Sequence, residues 1–463
     1  MVADGWGKKV LDTDLLLLIL LILAGGKLLG MICERLGFPS IIGELVIGIL
    51  MVLALPGLIG KYSTDLEFMA NLGVMFMMFI IGLSINIETV VKANAKSATA
   101  ITLIGASLVF IFATLCTLII DLAMGQEFYY SLAQSCIVGV ALTSTSTVIG
   151  FRYLSAIGDR FSNVFKTLVA IEVTDGIFSI VLLAVFMSAI GVYMSMVTSG
   201  NGIELGMFLP AIGWSSFKLF LLVIGFMILV VKFGGNVANW LLGITRRSGE
   251  DDTIITVSLI ILFAVAWLSN WLELTPVIGA FLAGAILAGS PFSETVIAPK
   301  IKAVGYGMFI PIFFAYIGMK MDFGSILGGA SFSVLGLGIP YYLILFLILL
   351  AGVLVCKYFG AIAGCAYAGG FKPFEANKIG SSAICVGEDT LVIAQIGSTV
   401  LFALGTAPGQ PLITNQIFSV LGLLIIVTSI LTPFLLNITF NKSKEQTLAV
   451  HSRSKHRSRG GGL

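Results

Sequence analysis

The run Val164–Val185, VFKTLVAIEVTDGIFSIVLLAV, constrains the fold more than any other stretch. It is about as long as a helix must be to cross a bilayer, roughly 20 residues. It also carries two carboxylates, Glu172 and Asp175, near its midpoint. A charge at the bilayer centre costs at least ~2.5 kcal/mol on insertion scales, so such residues face a cavity or a partner and mark ion paths. Each acid therefore has two readings: a protonated, hydrogen-bonded structural group, or an ion-coupling carboxylate.

The rest of the chain is built in the same way. Of its 463 residues, 58% are hydrophobic and 11% charged, where a soluble protein carries ~25% charged. Mean hydropathy is +1.07. The fold class is an all-α polytopic membrane protein, because helices satisfy every backbone polar group within the span. The net charge of +2 gives no reason to expect a nucleic-acid partner. The six cysteines lie in or beside apolar runs without metal-ligand spacing and read as reduced packing residues. Both histidines, His451 and His456, lie in the basic tail, so no Ser-His-Asp triad or histidine metal site forms among the spans. No GxxxxGK[ST] loop is present, which argues against an ATP-driven pump. No cofactor is expected, and the chain does not read as an enzyme. The first apolar run is a full span without a signal-peptide cleavage pattern.

Thirteen hydrophobic spans are expected, at 13–33, 39–56, 66–86, 98–120, 128–153, 163–192, 207–235, 252–271, 275–290, 303–320, 333–366, 376–403 and 412–437. Lysine and arginine assign the orientation. With the N-terminus outside and the C-terminus inside, the inner loops and tail hold nineteen of them and the outer loops four, the positive-inside bias.

An internal repeat is visible. PSIIGELVIGIL from Pro39 resembles PVIGAFLAGAIL from Pro276, with Gly48 and Gly284 236 residues apart. The next span keeps the offset: FMMFIIGLSIN resembles IFFAYIGMKMD, and Gly82 and Gly318 are again 236 apart. The shift is seven spans, an odd number, so the second copy is inverted in the membrane, as in secondary transporters. Under this repeat span 5 pairs with span 12. Span 5 holds five consecutive hydroxyl residues, Thr143–Thr147, which compete for backbone hydrogen bonds and favour unwinding. Span 12 holds Gly387, Glu388 and Asp389 in mid-span. Interrupted helices in corresponding positions point to a transport site. The bland alternatives are helix-packing hydroxyls and an end-of-span loop. In span 11, Lys357 lies deep in apolar sequence, where it needs a carboxylate partner. Ser195–Leu205 and Thr245–Asp252 read as linkers, and residues 438–463 as a disordered basic tail lying against anionic headgroups.

Five stretches carry a family resemblance: GFPSIIGELVIGIL (37–50), LGVMFMMFIIGLSINIE (72–88), ALTSTSTVIGFRYLSAIG (141–158), AIEVTDGIFSIVLLAV (170–185) and SSAICVGEDTLVIAQIG (381–397). Together they resemble the cation:proton antiporter-2 family, within the monovalent cation/proton antiporter superfamily. The resemblance implies a six-helix core (98–192 and 333–437) beside scaffold and dimerisation helices (1–97, and 193–332 with a linking helix), and a homodimer in the cell membrane. It implies exchange of Na+, Li+ or K+ for H+ by alternating access, with cation and proton competing for Asp175. Thr174, Thr143 and Ser144 would complete the cation's oxygen ligands, with Glu388 beside them. Relatives with Asp-Asp where this chain has Thr174-Asp175 are electrogenic, so one aspartate implies electroneutral 1:1 exchange. Lys357 then pairs with Asp175, or Glu172 one turn earlier substitutes. The rival is a K+/H+ antiporter or K+ efflux system of the same family.

Overall fold

The computed structural model describes residues 13–198 apart from 37, 84–94, 148, 151–153 and 155–161; residues 225 and 240; 251–402 apart from 273–275, 323, 325, 327–330, 335–336 and 388; and 409–459. The described chain is helical, as expected. In order come α1 (Thr13–Arg35), α2 (Ser40–Ala54), α3 (Pro56–Lys61), α4 (Ser63–Leu83), α5 (Ala95–Ala123), α6 (Phe128–Thr143) and α7 (Asn163–Thr198). The second half has α8 (Asp251–Trp271), α9 (Pro276–Ala288), α10 (Ser293–Lys320), α11 (Tyr341–Ala368), α12 (Pro373–Ser382), α13 (Asp389–Thr399) and α14 (Asn415–Arg459). Every expected span except the seventh has a helix; 207–235 lies almost wholly outside the described residues.

Several boundaries differ from expectation; α10, for one, begins at Ser293 and not at 303. Span 11 does not start at 333: Ser331–Val334 and Leu337–Pro340 form a two-stranded hairpin, and α11 begins at Tyr341. Pro340 has no N–H to continue a helix backwards, and it sets the start. At the far end α11 stops because Gly369 and Gly370 take φ of 72° and 81°. Span 12 ends early, where Leu401–Phe402 pairs with Gln410–Pro411. The tail is not irregular: α14 continues to Arg459, since no glycine or proline intervenes between Pro433 and Gly460.

The inverted repeat is visible as packing. α2 crosses α10, and its counterpart α9 crosses α4. A Cβ on Gly48 would overlap the carbonyl of Ala315, and one on Gly318 the carbonyl of Leu45. In the other crossing Gly284 meets the Phe79 carbonyl and Gly82 the Phe281 carbonyl. Adding 236 to 45, 48, 79 and 82 gives 281, 284, 315 and 318, so the two crossings are the same contact made twice. Small residues at these points let the backbones touch, the usual device of membrane helices.

Elsewhere α5 packs against α11, α6 and α7, and α14 packs against α11, α12 and α13. The ion pairs agree with the loop alternation. Lys61–Asp14 (3.4 Å) and Lys320–Glu67 (3.9 Å) join ends assigned to one side, and Lys300–Asp252 (3.2 Å) joins ends assigned to the other.

Candidate ion site at the helix crossover

The hydroxyl run stops α6. The Thr143 hydroxyl donates to the Val140 carbonyl (2.7 Å), and Ser144 turns extended, with ψ 132°. The chain is not helical from Ser144 to Thr147, and Thr145 forms a β-bridge. The second break lies opposite: α12 ends at Ser382 and α13 begins at Asp389. The two extended pieces cross as a short antiparallel ladder centred on Thr145 and Val386. The Gly387 N–H donates to the Ser144 carbonyl (3.2 Å) and the Ser146 N–H to the Cys385 carbonyl (3.0 Å). A Cβ at Gly387 would press on the Ser144 hydroxyl, so glycine lets the two strands approach closely. Thr428 and Thr390 brace the ladder: the Thr428 hydroxyl accepts from the Val386 N–H (3.2 Å), and the Thr390 hydroxyl donates to the Ala141 carbonyl (2.7 Å).

Three charged side chains close on this ladder. Asp175 is 2% exposed and accepts the N–H of Thr145. Glu172, one turn earlier on α7, accepts the N–H of Thr147 at 2.6 Å, with the Thr147 hydroxyl also at 2.6 Å. The match is geometric. Alternate N–H groups of an extended strand point one way, and residues three apart on a helix share a face. Lys357, 3% exposed, donates to the carbonyl of Ser144, to the Thr145 hydroxyl (3.0 Å) and to the Thr143 carbonyl (3.5 Å). The Asp175 and Glu172 carboxylates act on the Lys357 ammonium electrostatically, while its hydrogen bonds go to the broken strand. Lys357 caps the carbonyl end of the half-helix α6, where orphan acceptors and the negative end of the helix dipole both favour a cation.

The other expected residues divide. Thr143 touches Ser179 of α7 at 3.1 Å and faces the site. The Ser144 hydroxyl donates toward Asp389 (3.5 Å). Thr174 does not turn to the crossover: its hydroxyl donates to its own helix at the Ala170 carbonyl (2.7 Å), since residue 174 lies about 100° round α7 from residue 175. Glu388 lies outside the described residues. Thr145, Thr147, Ser179 and Asp389 belong to the site and were not among the expected ligands. Ser179 had a signal, being four residues after Asp175 on one helix face. Asp389 was visible as an extra acid. Thr145 contributes chiefly its N–H, which no residue pattern reveals.

A cavity of about 20 Å³ opens between Asp175, Lys357, Thr143, Thr145 and α5. That is room for about one water-sized guest. On the other side of the ladder a larger cavity of about 370 Å³ has Ser146, Cys385 and Val386 as its floor and Lys27, Glu34 and Glu44 on its walls. Two contacts join the helices at the far end. Lys320 of α10 donates to Gln395 of α13 (3.5 Å), and the Asp322 N–H donates to the Ser419 hydroxyl of α14 (2.7 Å).

Residues 17–442 match the family described as "Sodium/hydrogen exchanger, transmembrane". The chain belongs to that family. This sodium/hydrogen exchanger family member is similar to the Na(+)/H(+)-K(+) antiporter GerN of Bacillus cereus, 28% identical over 428 residues, which span 91% of this chain and 95% of GerN. It is also similar to the Na(+)/H(+) antiporter of Enterococcus hirae, 26% identical over 90% of this chain and 96% of that one. In fold it resembles the sodium proton antiporter MjNhaP1 of Methanocaldococcus jannaschii, with a TM-score of 0.67 at 13% identity, covering 92% of this chain and 99% of that one.

Proposed function

We propose that this family member is a secondary active antiporter of the cation:proton antiporter-2 type, exchanging Na+, or Li+ or K+, for H+ across the cell membrane. The observation that carries the reading is the Asp175 carboxylate, buried at the crossing of two interrupted helices and open to a one-guest cavity. A carboxylate there holds either a proton or a hard alkali cation, with the Thr143 and Thr145 oxygens and backbone carbonyls as further ligands. Competition for one group couples the two fluxes.

The domain reading rests on the packing. α5–α7 with α11–α14 form the moving core, and α1, α2, α4 and α8–α10 the scaffold and dimer face. The 370 Å³ cavity between them, walled by Glu34 and Glu44, is the open side, and it faces the cytoplasm if the N-terminus is outside. Exchange is electroneutral and 1:1. Glu172 is committed to Thr147 and Lys357 to the carbonyls of the broken helix, which leaves Asp175 as the exchanging charge.

Purified protein in vesicles with a pH gradient tests this. Adding Na+, Li+ and K+ in turn dequenches a pH dye in the wild type. Asp175→Asn abolishes the signal, and retained Na+-driven proton movement would refute the proposal. The name of GerN, which includes K+, gives weight to K+/H+ exchange as the second reading. The K+ arm of the same assay decides it.

A further inference from the structure

Another cavity lies away from the crossover. It is a groove of about 500 Å³ between α11, α12 and α14. Its walls include Val355 and Phe359 of α11 and Ile438 of α14, which are 54%, 60% and 54% exposed. Water does not wet such a surface at membrane depth, and a concavity there is filled by acyl chain. The polar groups within are already bonded: the Ser381 and Thr439 hydroxyls meet at 2.8 Å, and the Tyr358 hydroxyl donates to Asn377 (3.4 Å). The groove therefore offers apolar surface along its length.

Its end is different. α11 stops at Ala368 and α12 starts at Pro373, so the mouth lies where these helices leave the membrane. Phe374 stands at that mouth, with the Lys372 and Lys378 ammonium groups 5.8 and 5.6 Å from its ring centre. The nearby acid, Glu375, is turned to the N–H of Lys372 (2.8 Å), where it caps α12. Two cations gathered on Phe374, at one end of an apolar slot and at a membrane boundary, match the recognition pattern of an anionic phospholipid.

We infer that this groove binds one anionic phospholipid, with its phosphate between Lys372 and Lys378 and an acyl chain between α11 and α14. The lipid lies against Tyr358, the neighbour of Lys357, and against Ser381 and Ile384, which lead into the crossover strand. It wedges the core helices that carry the site.

Native mass spectrometry of the full chain tests the inference, with phosphatidylglycerol and phosphatidylcholine of identical acyl chains offered together. Two lysines at the mouth predict roughly 30-fold preferential retention of phosphatidylglycerol. Lys372→Gln with Lys378→Gln reduces retention to the phosphatidylcholine level, and Val355→Trp, which fills the slot, reduces retention of both. A thermal melt in detergent confirms that each variant is folded. Equal retention of the two lipids, or undiminished phosphatidylglycerol on the double-glutamine variant, means an annular lipid only and overturns the inference.

Discussion

The ammonium of Lys357 is bonded to the carbonyl of Ser144, the residue at which α6 leaves its helix. This contact ties α11 to the broken strand directly. A buried carbonyl stripped of its donor costs ~1–3 kcal/mol, so Lys357 is a structural cap of the crossover. Lys357→Met, similar in length but unable to donate, is expected to lower stability by ~2–4 kcal/mol and to slow exchange. The check is a melting curve beside the vesicle assay. If exchange fails while the melting temperature holds, Lys357 carries a transported charge instead.

Glu172 and Asp175 part company on the same test. A glutamine at 172 keeps a carbonyl oxygen for the Thr147 N–H, so Glu172→Gln is expected to exchange within about threefold of wild type. Asp175→Asn is expected to lose at least ~100-fold. Vesicles clamped at different membrane potentials supply the second readout. Rates of wild type and Glu172→Gln stay flat with voltage; a steep response would show more than one charge moving per cycle.

Competition fixes the pH dependence. Under the proposed competition the cation needs Asp175 ionised, and a proton on it blocks the cation. As pH falls below the titration of this carboxyl, the Na+ concentration for half-maximal rate is expected to rise about tenfold per unit, with the maximal rate less affected. Above it, cation affinity levels off and the supply of protons limits turnover. Initial rates over a matrix of pH and Na+ show the pattern. A half-saturating Na+ independent of pH would exclude a shared site.

The contact between Asp322 and Ser419 makes a mechanical prediction. The Asp322 N–H meets the Ser419 hydroxyl at 2.7 Å, across the boundary between the proposed scaffold and core. A disulfide between cysteines placed there, Asp322→Cys with Ser419→Cys in a background lacking native cysteines, is expected to stop exchange, and a reductant is expected to restore it. Unchanged exchange in the oxidised protein would mean that this contact persists through the cycle.

The repeated crossings predict stability. A side chain at Gly284 runs into the Phe79 carbonyl, whereas a Cβ on Gly60 would meet nothing within 4 Å. Gly284→Val is expected to cost at least ~3 kcal/mol, read as a lower melting temperature in detergent. Gly60→Val serves as the control and leaves it nearly unchanged.

The sequence by itself determined the membrane class, the helix order and the inverted repeat. Apolar length and lysine placement are one-dimensional properties, and the 236-residue offset is legible because the same glycines are needed at both crossings. It also marked both interrupted helices, since five hydroxyl residues and a Gly-acid pair disfavour helix locally. Only the tertiary structure decided which atoms meet. Thr174 neighbours Asp175 in sequence, yet helical rotation turns it toward Ala170. Lys357 shares its small cavity with the Asp175 carboxylate, yet its hydrogen bonds go to the carbonyls and the hydroxyl that unwinding α6 exposes. Thr145 serves chiefly through its backbone N–H. Backbone donors are identical in every residue but proline, so their roles arise from chain geometry and are not written in residue identity.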